Sequence, residues 1–234
     1  MATTNELKLL GCWFSPFTCR VQIALNIKGL DYDNIVESYY PKSDLLLHSN
    51  PVYKKIPVFS HGDKIICESP IIVEYIDEVW KDNGAPSILP SNAFDRAMAR
   101  FWVAYIDDKF FNSMRSGLIA QDEESKKKHF EQVEEVFMRL EDVINKRNNE
   151  GMEFFGGDKI GFIDIGFGCF ISWVWATEKI KEIKLLDEGK TPALVKWVEA
   201  FSAHPAVKGV IPETNKLVEF VKDFVQSLVD ASPK

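Results

Sequence analysis

Apolar positions along this chain change their period near residue 80. Before it, short runs alternate: Leu7 to Cys12 reads as a strand, Pro16 to Lys28 as a helix stopped by Gly29, and Tyr32 to Glu37 as a second strand. Val58 to Ser60 and Lys64 to Cys67, joined through His61-Gly62-Asp63, read as a hairpin, and Pro70 to Trp80 as a helix. Lys81-Asp82-Asn83-Gly84-Ala85-Pro86, closed by Pro90, is a polar link. Beyond it the spacing is helical. Phe94, Met98, Phe101 and Tyr105 recur every three or four residues, as do Phe130, Val133, Phe137, Leu140 and Ile144, which predicts one apolar face on each helix. Gly161 to Thr177 is apolar nearly all round and is expected to be a buried helix. After Pro192 comes a helix carrying Leu194, Trp197, Val198 and Phe201, then His204-Pro205 and a short turn of helix. A last amphipathic helix has Leu217, Phe220, Phe224 and Leu228 on one side and could fold back over the rest.

The order strand, helix, strand, then strand, strand, helix is that of an α/β thioredoxin-like domain, here followed by an all-α helical bundle. The expected division is residues 1–82, a link at 83–92, and residues 93–234. A right-handed crossover makes the first two strands parallel, and the ligand crevice of such a domain lies at their C-terminal ends, where Ser15 stands.

Composition narrows the partners. With 234 residues, 46% of them hydrophobic, the chain can bury one large core or two modest ones. A net charge of -7 without a basic stripe argues against nucleic acid. Without a basic-then-apolar leader or an apolar run of the ~18 residues that span a bilayer, the expectation is a soluble cytosolic protein with no membrane partner. Cys12, Cys19, Cys67 and Cys169 are too few and scattered for a disulfide scaffold, and His48, His61, His129 and His204 show no ligand spacing, so no metal site is expected. Lys126-Lys127-Lys128 reads as a solvated helix face. The glycines at 156, 157, 161, 166 and 168 lack the Gly-Lys-Ser/Thr of a phosphate loop; Gly161 reads instead as an N-cap onto which Asp164 folds back.

Candidate chemistry gathers at two Ser-Pro pairs. Ser15-Pro16 and Ser69-Pro70 each read as an N-cap followed by proline at the first helical position, where unpaired N–H groups and the helix dipole favour an anion. Either alone is consistent with a plain cap. Lys42, Lys54 and Lys55 between them add positive charge, implying a small ligand with several negative centres. A cis bond at Ile56-Pro57 would expose the Ile56 backbone for pairing with an extended ligand. As a nucleophile Ser15 would need a histidine base, and no histidine stands in a pairing context; as a donor it would favour a bound thiolate over the thiol.

Ser15-Pro16-Phe17, Asn50-Pro51, Lys54-Lys55-Ile56-Pro57-Val58, Ile66-Cys67-Glu68-Ser69, Gly156-Gly157-Asp158 and Phe162-Ile163-Asp164 together resemble the plant tau class of glutathione S-transferases over essentially the whole chain. The resemblance implies a detoxifying transferase that joins the glutathione thiolate to hydrophobic electrophiles, with glutathione as co-substrate and no other cofactor. It implies Ser15 as the thiolate-stabilising residue, Ser69 for the γ-glutamyl carboxylate and Glu68 for its amine. The backbone of Ile56 suits the cysteinyl amides, and Lys42 and Lys55 the glycyl carboxylate. It further implies an electrophile pocket lined by Trp13, Phe17, Phe111, Arg115, Leu118, Trp173, Phe220 and Phe224. Gly161 departs from the Ser or Thr usual at that cap in the wider superfamily. A homodimer is implied too, with Glu74 and Glu78 of one subunit facing Arg96 and Arg100 of the other. Two alternatives stay open: a thiol oxidoreductase of the dehydroascorbate reductase or lambda type, which would put cysteine where Ser15 stands, and a non-catalytic carrier of hydrophobic ligands.

Overall fold

β1 (Leu7–Gly11) is buried along most of its length because it becomes an inner strand, and inner strands are covered on both faces. The computed structural model describes residues 6–38 and 40–230, with the side chains of 226–230 outside that description. Within it, β2 (Asp33–Val36) pairs parallel to β1, β3 (Val58–His61) antiparallel to β1, and β4 (Lys64–Cys67) antiparallel to β3, giving the order β2-β1-β3-β4. Leu9 lies opposite Asn34 on one side and Phe59 on the other. The crossover is α1 (Pro16–Ile27), capped at Lys28 and terminated by Gly29, whose φ of 62° is open to glycine at little cost.

Two features of this domain depart from the reading of the sequence. A short helix, α2 (Asp44–Ser49), follows β2; one and a half turns are too few to display a helical period, and only Leu46 of its residues is buried. α3 (Ser69–Val79) begins at Ser69, not Pro70. Ser69 is therefore not the N-cap: Glu68 holds that position at φ 71°, with no side-chain cap bond. The asymmetry has a local cause, since β4 runs to Cys67 and the chain must reverse within one residue before the helix begins.

The remainder is helical among the described residues. α4 (Ala93–Tyr105) continues through a π-helical turn (Ile106–Phe111) into α5 (Asn112–Ile119). α6 (Glu123–Asn149) packs on α5, and α7 (Phe162–Gly168), α8 (Ile171–Lys181), α9 (Pro192–Ala203) and α10 (Thr214–Asp230) complete the bundle. No helix here is long and apolar enough to cross a membrane. The apolar stretch after Gly161 is two helices rather than one, broken at Cys169 and Phe170, where the Phe170 N–H bonds the Phe167 carbonyl. Uniform hydrophobicity hides such a break. Gly168 lets α9 approach: a Cβ there would meet Phe201 at 2.2 Å. The stripe expected on α4 also divides, for Phe94 and Phe101 are 71% and 53% exposed while Ala99 and Val103 face the core. Arg100 pairs with Glu74 of the same chain, Nη2 to Oε2 at 2.5 Å. After His204 the chain forms turns instead of a helix. Leu228, expected on the apolar side of α10, has its side chain outside the described residues.

One side chain that the sequence left unremarked joins the two halves. Arg20 on α1, 1% exposed, donates to both carboxylate oxygens of Asp107 (2.7 and 3.0 Å), to the Gly166 carbonyl (2.7 Å) and to the Ser69 hydroxyl (3.2 Å). Its guanidinium also lies 5.4 Å from the ring centroids of Phe17 and Phe170. Arg20→Ala is expected to cost about 3 kcal/mol, because removing one partner of a buried pair strands the other. Urea unfolding monitored by tryptophan fluorescence measures it; a loss under about 1 kcal/mol would contradict the anchoring role.

Candidate functional site

Where β1 ends, the chain turns through Cys12, Trp13 and Phe14 and enters α1 at Ser15. The Ser15 backbone is extended (φ -79°, ψ 116°), and its Oγ accepts the Thr18 N–H at 3.2 Å, as the Ser-Pro pattern predicts. That bond uses a lone pair and leaves the hydroxyl hydrogen free to donate. Ser15 is 6% exposed and borders a cavity of about 470 Å³ that runs between the two domains.

One end of the cavity is polar. Glu37, Ser38, Tyr40, Lys42, Lys54, Lys55 and Ile56 line it, and the Ile56-Pro57 bond is cis, as is Tyr40-Pro41. The loop that presents the lysines is braced from beneath by Asn50, 3% exposed, which donates to the Lys55 carbonyl (2.9 Å) and accepts the Tyr53 N–H (3.1 Å). Lys54 sits at φ 54°, its N–H bonded to the Asn50 carbonyl and its own carbonyl taking the Lys42 ammonium at 2.8 Å. Glu37 is a buried carboxylate in this wall that the sequence did not single out, because it ends what reads as a strand and belongs to no motif.

The other end is apolar. Phe14, Phe17, Phe111, Met114, Leu118, Trp173, Phe220 and Phe224 line it, with the exposed Arg115 at its border. The π-helical turn before α5 widens the helix by a residue, so that Phe110 is buried in the core while the next residue, Phe111, lines the cavity. Phe111 meets Phe17 edge-on at 5.0 Å. α10 does fold over the opening: Phe220 stacks on Phe14 with centroids 4.1 Å apart, and Trp173 on α8 donates its indole N–H to the Phe14 carbonyl at 2.9 Å.

Three expected residues stand outside this lining. Trp13 is 39% exposed, edge-on to Phe220 and under the Lys216 ammonium, and Phe14 takes the wall position instead. Glu68 is exposed at its strained turn, and Ser69, though buried, gives its Oγ to Arg20 rather than to its own helix start. The sequence cannot distinguish Trp13 from Phe14, because adjacent turn residues follow no period.

The thiols differ from Ser15. Burial pushes Cys12 up to about 12, and burial, aided by neighbouring thiols, pushes Cys19 up as well, so neither supplies a thiolate near neutral pH.

Comparison with known proteins agrees along the chain's length. Residues 5–78 match the family model of the glutathione S-transferase N-terminal domain, and residues 94–205 that of the C-terminal domain. Glutathione S-transferases U17 and U18 of Arabidopsis thaliana are each 52% identical over 219 residues, covering 94% of this chain and 96% of theirs. The tau class glutathione S-transferase of mango, Mangifera indica, superposes with a TM-score of 0.88 at 54% identity, covering 93% of this chain and 97% of its own. A rice glutathione transferase solved in complex with glutathione gives 0.86 at 32% identity, covering 97% and 99%. The chain thus belongs to the glutathione S-transferase family, and within it to the tau class.

Proposed function

We propose that this transferase conjugates glutathione to hydrophobic electrophiles, with Ser15 holding the glutathione sulfur as thiolate. The observation that carries the reading is the Ser15 hydroxyl, capping α1 at the seam between a lysine-bordered and an aromatic half of one cavity. The γ-glutamyl end is assigned to the Glu68–Ser69 turn, the cysteinyl amides to the Ile56 backbone, and the glycyl carboxylate to Lys42 and Lys55. The electrophile takes the half formed by Phe17, Phe111, Leu118, Trp173, Phe220 and Phe224, with Arg115 at its border; Phe14 joins this set and Trp13 leaves it. An aromatic wall of this kind suits planar apolar substrates.

Turnover of a chlorodinitrobenzene-type substrate with glutathione, run beside a glutathione-dependent disulfide exchange assay, tests the reading. Conjugation without exchange supports it. Exchange without conjugation would favour the oxidoreductase alternative, which the buried high-pKa thiols of Cys12 and Cys19 already disfavour. Binding without either would leave a carrier.

Lys55→Ala is expected to raise the KM for glutathione about tenfold with a smaller fall in kcat, since a charge contact to a remote carboxylate is made alike in ground and transition states. Added salt should shrink the difference. An unchanged KM would remove Lys55 from the site.

Two further features belong to the same reading. The division into residues 1–82, a link at 83–92 and residues 93–234 separates thiol binding from electrophile binding, in a chain that works in the cytosol. Ile71, Phe94 and Phe101 expose a broad apolar face on α3 and α4 that a second copy would cover, making a homodimer. Sedimentation of wild type against Phe94→Glu tests that face.

A further inference from the structure

Glu37 carries a charge into a nearly closed place without an opposite charge beside it. It is 4% exposed, and among the described residues no lysine or arginine nitrogen comes within ion-pair distance. What satisfies it is a single residue. Oε1 accepts the Ser43 N–H at 2.8 Å and Oε2 accepts the Ser43 hydroxyl at 2.5 Å. Its own N–H bonds the Gly11 carbonyl at 2.8 Å, one step past the β1–β2 pairing, so the carboxylate is rooted in the sheet.

Ser43 in turn caps α2, its Oγ accepting the Leu46 N–H at 3.1 Å, and Leu46 is buried between Leu10 and Val58. One carboxylate therefore ties Ser43 back to the end of β2. Between the two, Ser38 Oγ donates to the Pro41 carbonyl at 2.6 Å, and Lys42 is the residue next to the clasp. Lys42 is exposed, yet its ammonium reaches the Lys54 carbonyl at 2.8 Å, so one long side chain bridges both cation-bearing loops. An exposed lysine reaching across a cavity pays rotamer entropy unless its backbone is fixed.

We propose that Glu37 is a positioning residue for the thiol co-substrate: by clasping Ser43 it fixes the backbone at the adjacent Lys42 and so sets the Lys42 ammonium where the carboxylate at the far end of glutathione docks. The inference rests on the assignment of Lys42 above and goes beyond it, because Glu37 itself, being negative, would repel that carboxylate. Its contribution passes through Ser43 to the neighbouring Lys42. Glutamine replaces it imperfectly: with its oxygen on the Ser43 N–H, its amide nitrogen faces Ser43 Oγ, which must turn from donor to acceptor, and the charge that strengthens both bonds is gone.

The test is a cycle of Glu37→Gln, Lys42→Ala and the double variant, assayed with glutathione and with its glycyl ethyl ester, in which the carboxylate is masked. Glu37→Gln should raise the KM for glutathione about tenfold while kcat falls by less, and the KM for the ester should move by under about threefold. In the Lys42→Ala background the same change should add less than about twofold, because the group it positions is gone. Glu37→Asp, one methylene shorter, should fall between. Melting temperatures show whether each variant folds; should Glu37→Gln not fold, Ser43→Ala cuts one bond of the clasp from the other side and should raise the KM in the same selective way. Equal KM increases for glutathione and ester, or full additivity while Lys42→Ala has a clear effect, would overturn the inference alone. No effect of Lys42→Ala on the KM for glutathione would overturn the Lys42 assignment and the inference together.

Discussion

Asp164→Ala should lose more than about 4 kcal/mol of stability, enough to leave little folded protein, since domains hold only about 5–15 kcal/mol in all. The carboxylate is fully buried and receives the N–H groups of Phe155 (2.9 Å), Gly156 (2.8 Å) and Gly161 (2.8 Å) and the indole N–H of Trp197 (2.7 Å). Burial pushes its pKa up to about 6, against the downward pull of those four donors. Alanine removes the acceptor and strands every donor, at about 1–3 kcal/mol for each that stays dry. The damage spreads because the donors come from three places: the 155–156 loop, the start of α7 and the middle of α9. At roughly 2–4 °C per kcal/mol for a protein of this size, the melting temperature should fall by about 8 °C or more. A drop under about 3 °C would show that water reaches the stranded groups and that the node is not structural. Glycine at 161 has no cap hydroxyl of its own, so this helix start rests on Asp164, which takes the Gly161 N–H, and on the Ile88 carbonyl, which takes the Phe162 N–H at 3.0 Å.

Much of this was legible beforehand, and the reasons differ by element. Ser15, Gly29 and the Gly161–Asp164 cap are local devices: each works through hydrogen bonds within a few residues, so residue type and spacing announce it. The two parallel strands and the hairpin announce themselves through short apolar runs between turn residues. Ser69 misled because the same dipeptide follows a different backbone; what matters there is the φ of Glu68 and the distant Arg20, neither of which is a property of Ser-Pro. Arg20 bonds residues 49, 87 and 146 positions away, a separation that no window resolves. Phe94 and Phe101 share a period with the core but face outward, since periodicity finds an apolar face without saying what covers it. The same holds for Glu37, whose meaning comes from Ser43 across a loop.

Ser15→Ala and Ser15→Cys should separate the donor role from the fold that supports it. Moving a bound thiol from about 8.5 to about 6.5 raises its ionised fraction at pH 7 some 25-fold and needs about 2.7 kcal/mol of preference for the anion. Nucleophilicity falls with pKa at a slope of about 0.45, which returns roughly eightfold of that gain and leaves a factor of about three. The larger share of the acceleration must come from holding thiolate and electrophile together in one cavity. Ser15→Ala removes the donor but keeps the helix dipole, so it should shift the pH profile of turnover upward by at most about two units and slow turnover by at most about sixfold at pH 6.5, while glutathione affinity changes little. Ser15→Cys should do more. A thiol at the α1 N-terminus, where the dipole favours the anion, would ionise where buried Cys12 and Cys19 do not. Its thiolate would attack the disulfide of oxidised glutathione, forming a mixed disulfide and releasing one glutathione thiolate; a second glutathione thiolate would then restore it. Conjugation should be lost and disulfide exchange gained, with mass spectrometry finding one glutathione on residue 15. Wild-type conjugation by Ser15→Ala across the whole pH range, or loss of conjugation in Cys19→Ser, would transfer the role from Ser15 to another group.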